Sequence, residues 1–190
     1  EKEAKILSSI NNEYIVKYYE SFFENKVFFI IMEYCEYSDL RQFIKKKKED
    51  NELIDQNVIL FIVLNICIGL REIHNNNIIH RDLKPENLFI SKDYKIKIGD
   101  FGISKQLKSN EYLYSTQRGT CAYMAPEVLK GKKCNNKVDI WSLGCIIYEL
   151  CTLKVCFDNG DEGLFGLMNQ IINERHGKID LNYYNTEIQE

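Results

Sequence analysis

The sequence predicts an α+β fold, with a short strand-rich segment first and a longer helical remainder after it. Three observations lead there. Residues 14–34 are dense in β-branched and aromatic side chains on either side of Glu24-Asn25-Lys26, the pattern of a hairpin. Two long apolar stretches, Val58–Leu70 and Val138–Cys151, read as buried helices. Between them lies His80-Arg81-Asp82-Leu83-Lys84-Pro85-Glu86-Asn87, a cluster of charged and polar groups with an apolar run before it. Two short strand-like pieces follow, Leu88–Ser91 and Lys95–Ile98.

The chain has 190 residues, 45% of them hydrophobic, enough to bury a sizeable core in one domain or slightly more. Its 25 basic and 28 acidic residues leave a net charge of −3, which gives no support for a nucleic-acid or anionic-membrane partner. The seven cysteines are odd in number and form no C-x-x-C pair. Most sit in apolar runs, where a thiol behaves as a small hydrophobe. A disulfide framework or zinc site is not expected, and a cytoplasmic or nuclear location is. Val58–Leu70 is interrupted by Asn65 and is too short to span a bilayer.

In chain order, Ala4, Ile6, Leu7 and Ile10 have near-helical spacing and read as the end of an amphipathic helix. Tyr14–Phe23 and Val27–Tyr34 are the expected hairpin strands. A helix begins near Ser38 and ends in Lys45–Lys48, where basic side chains favour the helix macrodipole. Asp55 is a candidate N-cap for a helix over Gln56–Asn75. Residues 103–118 have no sustained apolar period and read as a loop carrying Ser104, Ser109, Ser115 and Thr116. Leu164–Glu174 reads as a further amphipathic helix, and the residues after it are uninformative.

The polar cluster has the parts that phosphoryl transfer needs. Asp82 is a carboxylate able to accept a proton, and Lys84 is an ammonium two residues on. Asn87 and Asp100 offer an amide and a carboxylate across a short hairpin, hard oxygens of the kind Mg²⁺ prefers. Asp82 and Lys84 are then left for a hydroxyl nucleophile and the phosphoryl group it attacks.

H-R-D-L-K-P-E-N, then Asp100-Phe101-Gly102, then Ala125-Pro126-Glu127, resembles the catalytic loop, metal-binding triplet and end of the activation segment of protein kinases. Three motifs in this order and spacing are a strong signal, and the resemblance covers essentially the whole chain. It implies a two-lobe fold of which residues 1–35 are a partial small lobe and 36–190 most of the large one. It implies serine/threonine kinase activity with ATP and Mg²⁺, acting on protein substrates. By the same resemblance Asp82 is the base, Lys84 neutralises the transferring phosphoryl group, and Asn87 and Asp100 hold the metal. Met32 becomes the gatekeeper, the Glu33 and Cys35 backbone meets the adenine, Asp39 reaches the ribose and Phe89 is the adenine floor. Glu3 falls at the position that ion-pairs with a phosphate-gripping lysine. His80 packs under Phe101, and Asp139 bonds the loop backbone near His80 and Arg81. Lys84 and Thr120 mark the Ser/Thr class, and Glu86 with Asp39 matches acidic positions that select arginine in some basophilic kinases. Thr116, with Ser115 as its rival, is the activating phosphosite, received by Arg81 and Lys105.

No Gly-rich loop or strand lysine precedes Glu3, and no late helix supplies an arginine for Glu127. The numbered chain is therefore expected to be part of something longer, weak or inactive alone. Two alternatives stay open: a truncated pseudokinase acting as scaffold, and a kinase-fold enzyme acting on small molecules. Met32-Glu33-Tyr34-Cys35, Tyr19-Glu20-Ser21-Phe22 and Phe89 are most similar to the NIMA-related group, with calcium/calmodulin-type and other basophilic kinases as alternatives.

Overall fold

Two antiparallel strands form a hairpin near the start of the described part of the fold. The computed structural model describes residues 8–101, 121–158, 163–179 and 183–184. Strands β1 (Tyr18–Glu24) and β2 (Val27–Met32) pair from Tyr18↔Met32 to Glu24↔Val27, with one irregularity between Tyr18 and Glu20. Asn25 and Lys26 both take positive φ, 49° and 66°, the primed turn that matches strand twist in a two-residue hairpin.

The first strand is shorter than the sequence predicts. Residues 14–16 pair instead with the second hairpin: Val16 N–H donates to the Ile98 carbonyl at 2.9 Å, and Ile98 N–H to the Tyr14 carbonyl at 2.9 Å. Ile15 and Val16 are buried there, so burial against the helical part outcompetes continuation of the hairpin.

Helix α1 (Leu40–Glu49) is capped by Asp39, whose Oδ1 accepts from Gln42 N–H at 2.9 Å. Helix α2 (Gln56–Asn75) is capped by Asp55 through Asn57 N–H. A 3₁₀ turn (Pro85–Asn87) leads into β3 (Leu88–Ile90), which pairs antiparallel with β4 (Ile96–Ile98). The short α3 (Pro126–Leu129) precedes α4 (Lys137–Thr152) and α5 (Gly163–Ile172).

The core gathers Ile66, Leu70 and Ile73 of α2, Ile146 and Leu150 of α4, and Leu83, Leu88, Ile98 and Phe101 around the loop. Helix α2 lies against β4 and α4. Its buried Asn65 is satisfied on both sides, donating to the Phe61 carbonyl at 2.8 Å and accepting from Ile96 N–H at 3.0 Å. One turn on, a Cβ at Gly69 would lie 2.9 Å from both Ile98 Cδ1 and the Tyr14 carbonyl, so only glycine admits this approach.

By length and composition α2 is the one described helix able to cross a bilayer, yet one face of it is built into this core. The expectation of a helix buried all round is corrected. Val58, Phe61 and Leu64 are exposed because the described elements pack on one side only. None of the seven cysteines is in a disulfide.

Candidate active site

A carboxylate from α4 holds the polar loop from beneath. Asp139 is fully buried and accepts from His80 N–H at 3.0 Å, Arg81 N–H at 2.8 Å and His74 Nε2 at 2.7 Å. Three donors satisfy a carboxylate that would be costly in a dry interior. They also hold Arg81 at φ 69°, a left-handed conformation that costs a side-chain-bearing residue about 1–3 kcal/mol. His80 links the loop to the chain ahead of Asp100: its Nε2 bonds the Gly99 carbonyl at 3.0 Å, while Nδ1 accepts from Asp82 N–H at 3.3 Å. These partners place its proton on Nε2. The His80 ring sits edge-on to Phe101 at 5.1 Å, as core packing.

Above this base, Asp82 Oδ2 takes Lys84 Nζ at 2.9 Å and Asn87 Nδ2 at 3.1 Å. Asn87 Nδ2 also donates to the Asp82 carbonyl at 2.8 Å. Both amide hydrogens thus point at acceptors, which orients Oδ1 as the outward-facing atom. Gly99 N–H bonds the Asn87 carbonyl at 3.0 Å and brings the chain carrying Asp100 alongside. Asp100 is exposed at φ 54°. An amide oxygen and a carboxylate fit Mg²⁺, which completes its shell with waters and phosphate oxygens.

Asp100 also lines a cleft of about 570 Å³, together with Met32, Glu33, Cys35, Asp39 and Phe89. The cleft is closed at one side by the approach of Gly99 to Phe89: a Cβ there would meet the ring at 2.7 Å. Glu33 is fixed three times: its N–H donates to the Lys17 carbonyl at 2.8 Å, and its carboxylate accepts from Lys17 N–H at 3.1 Å and pairs with Lys97 at 2.9 Å. Burial, reinforced by Glu33, pushes the Cys35 thiol up to about 11. The Asp39 carboxylate has a second task that the sequence reading gave only to the ribose, since its Oδ1 caps α1.

Glu86, expected to face substrate, pairs with Arg41 Nε at 2.8 Å. The same guanidinium reaches the buried Glu149 through Nη1 and the Tyr123 hydroxyl through Nη2, and Tyr123 in turn donates to Glu149. Burial pulls the Arg41 guanidinium down, but its bonds to Glu149 and the neighbouring Tyr123 and Glu86 outweigh that and hold it above its ordinary value. Glu3, Lys105, Ser115, Thr116 and Thr120 lie outside the described residues.

A model of the protein kinase domain matches residues 1–188. The chain belongs to the protein kinase family. It is 42% identical over 160 residues to the mouse serine/threonine-protein kinase Nek1, covering 84% of this chain and 13% of that one. The probable serine/threonine-protein kinase nek3 of Dictyostelium discoideum is 42% identical over 187 residues, 96% of this chain and 16% of its own. Human Nek5 is 42% identical over 161 residues, 84% of this chain and 22% of that protein. The chain thus spans about a quarter or less of the length of these relatives. The family uses ATP and Mg²⁺, and its members related to this chain are named for action on serine and threonine.

Several residues around this site escaped the sequence reading. His74 was hidden in an apolar helix, 65 residues from the Asp139 it bonds, with no local pattern to signal it. Val16 lines the cleft from a segment read as ordinary strand. Arg41, Tyr123 and Glu149 meet across 82 and 108 residues of chain, with no local pattern to signal it.

Proposed function

We propose that the chain is catalytic-domain sequence of a serine/threonine protein kinase that moves the γ-phosphoryl group of ATP to Ser and Thr hydroxyls of proteins. The observation that carries this reading is the joint hold of Lys84 and Asn87 on the Asp82 carboxylate, in a loop fixed to Asp139 and beside the cleft lined by Asp100. The adenine of ATP would lie between Val16 and Phe89, in the cleft that Glu33 and Cys35 also line. Asp82 accepts the hydroxyl proton as that oxygen bonds to the γ-phosphorus and ADP leaves with the bridging oxygen. Lys84 neutralises charge on the moving phosphoryl group. Asn87 Oδ1 and Asp100 would hold Mg²⁺, which when bound offsets charge on the phosphates. Lys84 and Thr120 support Ser/Thr over Tyr acceptors. Thr116 or Ser115, phosphorylated, would find Arg81 and Lys105 as cations. Seven unpaired cysteines support a reducing, cytoplasmic or nuclear setting.

The test is transfer of labelled phosphate from ATP to Ser, Thr and Tyr peptides by the full-length protein, with and without Mg²⁺. Asp82→Asn and Asp100→Asn are expected to lose nearly all transfer, and Tyr peptides to accept little. Equal activity in wild type and both variants, or a preference for small-molecule acceptors, overturns the reading.

A further inference from the structure

The arrangement around Arg41 is a guanidinium socket already filled by the chain itself. Glu86 Oε1, Glu149 Oε1 and the Tyr123 hydroxyl converge on three nitrogens of one guanidinium, the fork geometry that arginine matches and lysine does not. The socket spans from buried to open: the Glu149 side chain is 3% exposed, that of Arg41 25% and that of Glu86 44%. Its location bears on substrate. Glu86 belongs to the 3₁₀ turn whose next residue, Asn87, donates to Asp82. Tyr123 sits two residues ahead of Ala125, in the buried run of residues 121–125, and its carbonyl is anchored by Ser142 Oγ at 2.7 Å. A peptide that presents its hydroxyl to Asp82 therefore runs close to this group. Without Arg41, two carboxylates at that place would attract a basic side chain of the peptide.

We infer that Arg41 is a specificity-determining residue that occupies this acidic socket from within the chain, so that a peptide arginine near the phosphosite gains no affinity there. The inference rests on the protein-kinase reading for its consequence in peptide choice, but not for the socket itself. It also accounts for Glu86: an acidic residue beside the catalytic loop does not make this chain basophilic while its partner is internal. The side chain responsible lies 45 residues upstream, on α1.

Two measurements on the full-length protein test it. In the first, peptides with Arg or Ala at each position N-terminal to the acceptor Ser are compared by kcat/KM. Wild type is expected to discriminate less than about threefold, and Arg41→Ala to favour Arg at one position by about 10- to 100-fold, the range of charge-assisted hydrogen bonds. The ratio cancels any general loss of activity. In the second, millimolar methylguanidinium is expected to raise the Tm of Arg41→Ala and leave wild type unmoved, a readout independent of phosphoryl transfer. If Arg41→Ala does not fold, Arg41→Ala combined with Glu149→Gln removes cation and buried charge together. Glu86 and Tyr123 remain as acceptors, so a smaller rise in the same ratio is expected. A strong Arg preference in wild type, or an unchanged ratio and unchanged Tm in a folded variant, overturns the inference. A Tm shift in a protein with no transferase activity would uphold the socket and count against the kinase reading instead.

Discussion

The β1–β2 hairpin and the loop from His80 to Asn87 are both short stretches outside the α-helices, yet they are held by opposite means. The hairpin has strong local signals: β-branched and aromatic residues, a primed turn and a regular ladder. Its apolar side chains remain largely in solvent among the described residues, with Phe23 62% and Val27 53% exposed. A two-stranded ribbon of this kind is marginal in water. The loop has little regular structure beyond its 3₁₀ turn and includes a strained residue, Arg81, but its His80 and Arg81 amides bond the buried Asp139 and Asn87 bonds the Asp82 carbonyl. Local propensity shapes the first, whereas buried polar satisfaction fixes the second. In the proposed function it is the loop that holds reacting groups to a fraction of an ångström, and it has the second kind of support.

The sharpest way to break this contrast is Asp139→Ala. It leaves the His74 ring and two backbone N–H groups facing an empty, buried site. A loss of roughly 3 kcal/mol or more in urea unfolding is expected. Transfer activity should fall by about a hundredfold or more as the loop shifts. His74→Ala removes one of the three donors and should cost about 1–2 kcal/mol, with activity reduced less than in Asp139→Ala. Gly99→Ala acts on the cleft and not on the loop's support. The added methyl must move the Phe89 ring, raising KM for ATP about tenfold with a smaller effect on stability. In the hairpin, Phe23→Ser removes one member of a cross-strand pair with Phe28 and should change unfolding free energy by less than about 1 kcal/mol. A larger effect there would show that the ribbon is covered and the contrast overstated.

Cys35 offers the finest distinction, three residues past the end of β2 and in the lining of the cleft. Burial disfavours its thiolate, so the reactive fraction is small at neutral pH and grows only as pH rises toward 11. Peptide-resolved alkylation should therefore keep climbing about tenfold per pH unit through pH 9.5. A plateau near pH 9, the behaviour of an unperturbed thiol, would contradict the burial of that side chain.

Much of the architecture was legible in the sequence because it is locally encoded. The helix over Gln56–Asn75 has its cap, its length and its apolar run in one window, and it forms over those residues. The residues singled out by motif at 32, 33, 35, 39, 89 and 100 line one cleft, since the motif order already implies two chain segments meeting. What could not be read were bonds between distant residues. Nothing near Asp139 points to His74, and nothing near Glu86 points to Arg41, because side chains 65 and 45 residues apart meet only through the fold. The pairing of residues 14–16 with β4 was missed for a related reason. Strand propensity is equal for either partner, and burial of Ile15 and Val16 decides between them.

Native-state hydrogen exchange, read residue by residue on the full-length protein, tests the central contrast most directly. The amides of His80 and Arg81, both donors to Asp139, are expected to exchange with protection comparable to the core of α4, while amides of the β1–β2 ladder exchange orders of magnitude faster. Exchange of His80 and Arg81 at the rate of the hairpin would contradict the account, because the carboxylate beneath the loop would then not be what holds it.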